Sequence, residues 1–518
     1  MSKVYLKWLR VFLAIIFFLP VAFFFIDFTG ILPDGVGHLT KLQIIPAILG
    51  GFVGILVLQT LLAFVFGRIY CSTICPAGVL QDIINRIYCI GRKKKNGKLR
   101  FKARKAMNAL RYGLVGVTVV LTLFGATNIL MILDPYSNFG RIANNLVRPL
   151  YKWGNNMAAD VLMHYKNYSL YHVDVTNVPM FSVVAALIAL AVFVVMVAFR
   201  GRLFCNTLCP VGAGLSLVSR YSLFRISFDK STCTNCGICS KGCKAEAIDY
   251  KSMSVDASRC VDCFNCMPSC PKGALSFSYS PSFKAAKECP APIPSSKEGK
   301  SNSRRQFIAT SAAVTATIPG ISAIANGGGK ASAPTMPIIP PGAISLERFK
   351  DKCTACHLCV AKCPSHVLRP AGFEYGIDFL LRPHCSFYDS YCNYQCTVCS
   401  DVCPTNAISS LTEEMKKTIQ IGIAEFNVDI CIVKTDNTDC GACSEHCPLQ
   451  AVRMIPYKGT LTIPEVTPEL CVGCGGCESI CPVRPERAII VRAKETHAII
   501  ELPEEEEVRD IRVDDFGF

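Results

Sequence analysis

Six runs of closely spaced cysteines constrain this chain more than any other feature of its sequence. The chain has 518 residues and 31 cysteines, and most of these cysteines stand in C-x-x-C clusters. Disulfide-stabilised secreted domains are usually shorter than about 100 residues and have cysteines throughout. A chain of this length can hold three or more domains. We therefore expect metal or cluster sites in several domains, and not a disulfide scaffold.

The first two runs of cysteines have the spacing of a bacterial two-cluster ferredoxin. In that fold three close cysteines hold one [4Fe–4S] cluster, and the fourth cysteine of each run reaches the other cluster. Both runs lie within residues 233–270, which favours iron–sulfur clusters over zinc, and Lys244 stands where proline is usual. The predicted ligands are Cys233, Cys236, Cys239 and Cys270 for the first cluster, and Cys260, Cys263, Cys266 and Cys243 for the second.

Four further runs lie within residues 346–500, and we expect each to contribute one more [4Fe–4S] cluster, which makes six in all. The spacing leaves open which runs exchange their fourth cysteines, and Cys385 could replace Cys392. The segment from Cys353 to His357 also matches the C-x-x-C-H pattern of haem attachment, but the continuation of the run favours a cluster. The predicted ligands are Cys353, Cys356, Cys359, Cys363, Cys392, Cys396, Cys399, Cys403, Cys431, Cys440, Cys443, Cys447, Cys471, Cys474, Cys477 and Cys481.

The first 200 residues contain four uncharged apolar stretches. Hydrophobic residues make up 51% of the chain and charged residues 18%, and its mean hydropathy of +0.34 argues against a purely soluble protein. A bilayer core of about 30 Å needs about 20 helical residues. We predict four membrane spans, the first of which is short and could instead be a cleaved signal peptide. The stretches are residues 11–26, 44–66, 114–133 and 178–199.

Basic residues in the loops predict how these spans are oriented. Residues 86–111 carry eleven lysines and arginines and no acidic residue, whereas the longer loop 134–180 carries four. Because positive loops stay in the cytoplasm, we place the N-terminus and residues 86–111 inside, and residues 31–43 and 134–180 outside. A basic run beside two spans favours contact with lipid headgroups over nucleic acid. We therefore expect a multi-pass protein of the bacterial inner membrane that binds no nucleic acid.

A repeat at an offset of 134 residues brings in four more cysteines. Residues 67–78 and 201–212 are identical at seven of twelve positions, and each copy contains C-x-x-x-C-P at the cytoplasmic end of a predicted span. The repeat would bring Cys71, Cys75, Cys205 and Cys209 to one membrane face, where they could hold an iron–sulfur cluster or another soft metal. The alternative is that they pack in a duplicated hairpin. The four stretches contain no histidine, so we expect no bis-histidine haem between them.

An arginine pair, Arg304 and Arg305, divides the two groups of cluster motifs. An uncharged stretch follows the pair as far as Ala325 and resembles a twin-arginine export signal, although a weakly apolar linker is the alternative. Such a fifth crossing would place the four-cluster domain outside. We divide the chain into a helical membrane domain (1–220), a two-cluster ferredoxin domain (221–280), a linker (281–303), the signal-like segment (304–326), a tether (327–345), a four-cluster ferredoxin domain (346–500) and an acidic tail (501–518). The expected fold class is thus a helical membrane domain with α+β ferredoxin-like domains.

These motifs make the chain resemble a fusion of members of two protein families. Residues 1–280 resemble the NapH-type quinol dehydrogenase subunit of periplasmic nitrate reduction, on the strength of the four spans, the paired C-x-x-x-C-P motifs and the two-cluster ferredoxin. Residues 301–500 resemble the exported four-cluster ferredoxins of the NapG/MauM type, with the arginine pair and the long spacing from Cys431 to Cys440. The resemblance implies that electrons leave the quinol pool for a periplasmic reductase or cytochrome partner within a multi-subunit redox complex. Because a fused chain departs from the separate subunits, the terminal acceptor does not carry over.

The remaining motifs favour an electron carrier, or a component of a quinol dehydrogenase, over a stand-alone enzyme. The sequence has no G-x-G-x-x-G after a strand and no nucleotide-binding P-loop, and we predict no catalytic residues. Two alternatives stay open. One is a regulatory or assembly factor that resembles the NosR and cytochrome-oxidase accessory families. The other is a polyferredoxin that lies wholly in the cytoplasm, if the arginine pair is accidental.

Overall fold

The computed structural model describes residues 3–92, 101–104, 106–175, 179–280 and 336–502. The predicted linker, the twin-arginine-like segment, residues 327–335 of the tether and residues 503–518 of the acidic tail lie outside these ranges. The described residues form a helical unit and two small α+β units, which we call the inner and outer ferredoxin units.

Eight helices of eight or more residues build the helical unit in the described part of the chain. Two of them, α1 and α7, have the length and apolar composition to cross a membrane, whereas α2, α4 and α8 are apolar but shorter. Two membrane-length helices are fewer than the four predicted spans, so the four-span arrangement stays a prediction. The helices are α1 (Lys3–Ile26), α2 (Val53–Phe66), α3 (Pro76–Arg92), α4 (Asn108–Leu123), α5 (Pro135–Ile142), α6 (Arg148–His164), α7 (Met180–Arg200) and α8 (Pro210–Ser219).

Two of the predicted apolar stretches are not continuous helices. Stretch 44–66 divides into the helix Ile44–Gly50 and α2, because Gly51 caps the first helix with a left-handed φ of 77°. Stretch 114–133 divides in the same way between α4 and a second helix, Asn128–Leu133, and Gly125 between them has a φ of 80°. Glycine adopts this conformation at little cost, and apolar composition alone did not reveal the breaks.

Short helices and turns connect these elements and position the cysteines. Asp134 caps α5 and accepts hydrogen bonds from the backbone N–H groups of Tyr136 and Ser137. A π-helical turn, Ala143–Val147, joins α5 to α6. The other short helices are Asp34–Val36, Gly37–Lys41, Tyr70–Thr73, Leu203–Thr207, Ile238–Lys241, Cys266–Ser269, Leu346–Lys352, Leu358–Lys362, Ile377–Phe379, Val398–Asp401, Glu413–Thr418, Val428–Ile430, Ile432–Thr435, Ala442–Glu445 and Gly476–Ile480.

The inner ferredoxin unit consists of two antiparallel strand pairs and two short helices that carry cysteines. Strand β1 (Phe224–Phe228) pairs with β4 (Leu275–Tyr279), and β2 (Ile248–Asp249) pairs with β3 (Ser254–Val255). Apolar side chains and cysteines form its core together: Ile226, Cys239, Ile248, Phe264, Cys266, Met267 and Leu275. The strand pairs and short helices of this unit agree with the predicted α+β architecture.

The outer ferredoxin unit contains three antiparallel strand pairs around one larger core. Its core includes Phe349, Ile421, Val433 and Ile489 as well as many of its cysteines. The pairs are β5 (Leu368–Pro370) with β6 (Pro383–Cys385), β7 (Ile419–Phe426) with β10 (Ile489–Ile499), and β8 (Val452–Pro456) with β9 (Thr462–Val466).

Helix α1 contacts the two ferredoxin units at its opposite ends. Near the start of α1, Leu6 packs against the core of the inner unit. Just after its end, Asp27 forms an ion pair with Lys362 of the outer unit at 3.0 Å, and this lysine lies 4.6 Å from the ring of Phe24. A helix of 24 residues is about 36 Å long. The two units are therefore held apart by about the thickness of a bilayer.

Candidate iron–sulfur sites and a four-cysteine chamber

The inner unit brings cysteines of its two runs together in the crossed pattern that the sequence predicts. Burial raises the pKa of the Cys239 thiol, and the nearby Cys270 and Cys236 add to this rise. In the other set, burial raises the pKa of Cys243 to about 11, with a further contribution from Cys263. The fourth cysteine of each run therefore lies beside the first cysteines of the other run. Cluster binding at these positions stays a prediction.

The outer unit answers a question that the spacing left open, because its runs exchange their fourth cysteines in neighbouring pairs. Burial raises the pKa of each central thiol, and thiols of the same set raise it further. The first run pairs with the second, and the third run with the fourth. The resulting sets are Cys353, Cys356, Cys359 and Cys403; Cys392, Cys396, Cys399 and Cys363; Cys431, Cys440, Cys443 and Cys481; and Cys471, Cys474, Cys477 and Cys447.

Two cavities in the outer unit fit the chemistry of a cluster. One is lined by Cys447, Cys471, Cys474 and Cys477 together with apolar residues. The other is lined by Cys431, Cys440, Cys443 and Cys481. Each cavity thus collects the four thiols of one set within an apolar wall, as a cysteine-ligated cluster requires.

In the described ranges, no group of three or more histidine, cysteine, aspartate or glutamate residues is arranged to hold a single metal ion. In a [4Fe–4S] cluster each thiolate binds a different iron, so its sulfur ligands stand farther apart than those of a single ion.

Cys385 and Cys392, the two candidates for one ligand position, both lie close to the second outer set. Cys385 lies on β6, is 3% exposed, and interacts electrostatically with Cys392, Cys399 and Cys363. Cys392 is partly buried and interacts with Cys363 and Cys396. Five thiols therefore surround this position, and the choice between Cys385 and Cys392 stays open.

His357, the histidine of the haem-like pattern, uses both ring nitrogens in hydrogen bonds. Its Nε2 lies 3.0 Å from the carbonyl oxygen of Leu381, and its Nδ1 lies 3.3 Å from the side-chain nitrogen of Asn145. Donation from Nε2 leaves Nδ1 as the acceptor for the amide of Asn145. His357 is 1% exposed, and it joins the outer unit to the π-helical turn of the helical unit.

The sets of the outer unit neighbour one another in the order first, second, fourth and third. Cys359 of the first set interacts with Cys399 of the second. The backbone N–H of Cys392 donates to the carbonyl of Cys474 at 2.9 Å and so joins the second set to the fourth. Cys477 interacts with Cys443 and joins the fourth set to the third. Cys356 of the first set also belongs to the buried cluster of the helical unit, so the first set joins this series to the helical unit.

The sequence repeat forms two matched turns that meet in the helical unit. Helix Tyr70–Thr73 leads from α2 to α3, and helix Leu203–Thr207 leads from α7 to α8. The four cysteines of the repeat belong to one buried cluster of side chains, and Cys209 interacts electrostatically with the other three. We name this group the chamber. Its members are Cys71 and Cys205, each 3% exposed, and Cys75 and Cys209, each 4% exposed.

Two buried arginines relate the halves of the chamber by an approximate twofold symmetry. Arg68 donates to the carbonyl oxygen of Cys205 at 2.9 Å and lies 3.8 Å from the sulfur of Cys71. Arg202 donates to the carbonyl oxygen of Cys71 at 2.7 Å and lies 3.9 Å from the sulfur of Cys205. In each copy of the repeat, the arginine of Gly-Arg therefore places its guanidinium against the backbone of the other copy.

The glycine that ends each repeat allows this close approach. A Cβ atom on Gly78 would lie 2.1 Å from the carbonyl oxygen of Cys71, and one on Gly212 would lie 2.1 Å from that of Cys205. Any side chain at these positions would collide with the backbone, so the repeat requires glycine there.

Lys244 holds the inner unit against the helical unit through Asp82 of α3. The carboxylate of Asp82 pairs with Lys244 at 2.6 Å, with Arg202 at 2.7 Å and with Arg10. Burial would raise the pKa of Asp82, but these three cations hold it well below its usual range. In the sequence Lys244 stands out only because it replaces the usual proline, and no motif marks Asp82. That replacement was the one signal that could have revealed the contact.

We expect Asp82→Asn to destabilise the protein by about 3–5 kcal/mol, because it leaves buried cations without their anion. Thermal unfolding of the detergent-solubilised full chain, followed by circular dichroism, measures the effect. The control is Asp429→Asn, whose pair with Lys434 is exposed, for which we expect a change of at most about 1 kcal/mol. An equal loss of stability in the two variants would contradict the structural role of Asp82.

Aromatic side chains connect the chamber to the first outer set. Tyr70 interacts electrostatically with Cys75 and Cys71 of the chamber and with Asp134. Beyond Asp134, the rings of Tyr136 and Phe25 lie 5.8 Å apart, and Tyr136 interacts with Cys356. The chamber, these rings and Cys356 belong to one continuous buried cluster, which also reaches Cys243, Cys260 and Cys263 of the inner unit.

Comparisons with protein families assign iron–sulfur domains to several parts of the chain. A family described as a 4Fe-4S binding domain matches residues 44–98 and 182–230, which contain the four chamber cysteines. Families described as 4Fe-4S dicluster domains match residues 256–367 and 438–484. The first dicluster match joins cysteines of the inner and outer units, which the structure places at opposite ends of α1. No solved structure matches the chain.

Curated relatives of the chain are ferredoxin-type proteins. The methylamine utilization ferredoxin-type protein MauM of Methylobacillus flagellatus is 31% identical over 30% of this chain and 68% of its own length. The chain belongs to this ferredoxin-type family. MauM of Methylorubrum extorquens is 30% identical over 38% of this chain and 91% of its own length. The ferredoxin-type protein NapG of Escherichia coli is 28% identical over 35% and 81% respectively. The chain is thus an iron–sulfur electron-transfer protein, and the predicted relation to MauM and NapG is confirmed.

Proposed function

We propose that the chain carries electrons between the quinol pool of the bacterial inner membrane and a redox partner on its outer face, as a NapH-type unit fused to a NapG/MauM-type ferredoxin. One observation carries this proposal. Two ferredoxin units lie at opposite ends of α1, and a single buried cluster of side chains runs between them through the chamber. When bound, iron–sulfur clusters accept and release single electrons.

Exposed apolar side chains on the helices support the membrane location. On α1, Trp8 and Phe12 are each 60% exposed, and on α7 Leu187 and Val195 are 50% and 52% exposed. The shorter helices α2 and α4 expose apolar side chains in the same way. A soluble protein rarely leaves large apolar surfaces in water, so lipid is the environment that this surface fits.

The charge around the chamber supports an anionic centre there. Arg68 and Arg111 are 0% and 1% exposed, and their side chains donate to neutral oxygens such as the carbonyl of Ser258. Arg68 also interacts with Asp262. With Arg10, Arg202 and Lys244, these five buried cations outnumber the three neighbouring acids, Asp82, Asp256 and Asp262. Burying unpaired cations is costly, and an iron–sulfur cluster held by four cysteine thiolates would supply negative charge.

Oxidation of a quinol analogue by the purified chain tests the proposed function. We expect menadiol to bleach the visible absorption of the anaerobically prepared full chain, because its electrons enter the iron–sulfur sites. The matched control is a variant with serine at the four chamber cysteines, which should leave part of the absorption unbleached. A wild-type chain that stays oxidised in excess menadiol would contradict the proposal and favour the accessory role of the NosR or cytochrome-oxidase type.

Protease access tests the orientation and the remaining alternative. In intact spheroplasts we expect an added protease to cleave a tag at the C-terminus, because the outer unit lies on the periplasmic face. A tag cleaved only after lysis would place all the clusters in the cytoplasm and would contradict the transmembrane route.

A further inference from the structure

Two adjacent lysines of the short helix Glu413–Thr418 lie in opposite environments. Lys416 is 6% exposed, and its ammonium group donates a hydrogen bond to the carbonyl oxygen of Asn393, beside the second outer set. The ammonium group of Lys417 lies at the surface and forms an ion pair with Glu413 at 2.7 Å. Among the residues that the structure describes, no carboxylate forms an ion pair with Lys416.

The ammonium group of Lys416 faces the thiols of the second outer set. It donates a hydrogen bond to the sulfur of Cys392 and interacts electrostatically with Cys399 and Cys385. Lys416 and Cys392 also line a narrow cavity with Cys474 of the fourth set, and most of its other walls are apolar. Because both candidates for the open ligand position interact with Lys416, its charge acts on this set whichever of them binds iron.

The arginine beside the first outer set differs from Lys416 in its partners. Arg382 is 1% exposed and interacts with Cys353. Its guanidinium, however, donates to oxygen atoms, among them the hydroxyl of Thr127 at 2.6 Å and the carbonyl of Lys350 at 2.9 Å. Arg382 therefore joins the outer unit to the helical unit, whereas a hydrogen bond of Lys416 reaches a ligand sulfur directly.

A buried cation beside an iron–sulfur cluster favours the reduced form of that cluster. Reduction adds one electron and thus one negative charge, while no covalent bond forms or breaks and no proton is required. Net charge, hydrogen bonds to the sulfurs and exposure to solvent set the reduction potentials of such clusters. Since charges interact more strongly in a protein interior than in water, a buried ammonium group has a larger effect than an exposed one.

We propose that Lys416 raises the reduction potential of the cluster that the second outer set holds. Its charge stabilises the added electron, and its hydrogen bond to Cys392 stabilises the negative charge on a ligand sulfur. Because this set lies between the first and fourth sets, Lys416 controls how readily it takes up electrons that pass along the outer unit. The inference rests on a cluster at this set, as the proposed function does, but it does not depend on the quinol or on the membrane orientation.

Redox titration of the anaerobically purified full chain, followed by electron paramagnetic resonance, tests this role. The signal of the second outer set is the one that Cys396→Ser removes. We expect Lys416→Met to lower the ratio of reduced to oxidised cluster at a fixed ambient potential by about tenfold or more, which corresponds to about 59 mV for one electron. Lys416→Arg keeps the cation and should keep most of the potential. The matched control Lys417→Met removes the same charge from the next position and should leave the potential unchanged.

Three results would overturn the inference. An unchanged potential in Lys416→Met, with the signal present, would show that the charge does not act on the cluster, and it would leave the proposed function intact. An equal shift in Lys417→Met would reveal a general effect of net charge. If Cys396→Ser removes neither a signal nor iron, the second outer set holds no cluster, and the proposed series of iron–sulfur sites fails with the inference. Should Lys416→Met lose the cluster altogether, Lys416→Gln, which keeps a donor for Asn393, provides the same comparison.

Discussion

Replacing Cys71 and Cys205 together with serine is expected to stop electrons from passing between the inner and outer ferredoxin units. The two cysteines lie on the buried path between Cys260 of the inner unit and Cys356 of the outer unit. Serine keeps the approximate volume but binds iron poorly, because it lacks the soft thiolate that iron–sulfur clusters require. The cysteines of the six predicted ferredoxin sites are unchanged, so those sites should still assemble.

Rapid mixing of the oxidised chain with menadiol measures this effect. The inner unit has two of the six predicted sites and the outer unit has four. Bleaching in the variant should therefore fall to roughly one third or two thirds of the wild-type amplitude, according to the side on which electrons enter. Ser72→Ala, in the same short helix and 0% exposed, is the control for packing and should bleach fully. Full bleaching of the double-serine variant at the wild-type rate would contradict a role for the chamber.

Serine substitutions in the outer unit are expected to show that the third and fourth runs exchange their fourth cysteines. Cys481 belongs to the fourth run but lies with Cys443 of the third, whereas Cys477 stays with its own run. The double variant Cys481→Ser with Cys443→Ser removes ligands of one site. We expect it to lose about four iron atoms per chain, no more than either single variant.

The matched double variant, Cys481→Ser with Cys477→Ser, removes ligands of two sites and should lose about eight iron atoms per chain. Iron and acid-labile sulfide, measured on anaerobically purified protein, separate the two variants. If the fourth cysteines were not exchanged, the pattern would reverse: the pair of Cys481 and Cys477 would lose one cluster, and the pair of Cys481 and Cys443 would lose two.

The cysteine spacing predicted the local parts of the sites, because three cysteines in one tight turn need only neighbouring residues to converge. It could not predict the exchange in the outer unit, which depends on how two distant runs pack. For the inner unit, Cys243 and Cys270 lie in the crossed positions that the resemblance to two-cluster ferredoxins suggested. For Cys447 and Cys481, the tertiary structure was needed.

The helical unit was less predictable than the cluster motifs. Hydropathy does not distinguish a continuous span from one that Gly51 or Gly125 divides, because both have the same apolar composition. The repeat did predict that its cysteines would meet, but the exchange of Arg68 and Arg202 between the halves depends on backbone contacts. Similarly, the contact between Lys244 and Asp82 joins residues far apart in the chain, and its one sign in the sequence was the lysine in place of the usual proline.

Iron and acid-labile sulfide in the anaerobically purified full chain test the central claim most directly. Six [4Fe–4S] sites predict about 24 iron and about 24 sulfide per chain, and a centre in the chamber would raise the iron further. These metals should come with a visible absorption that bleaches on reduction. A chain that folds with only a few iron atoms, or that binds zinc in place of iron, would contradict the account.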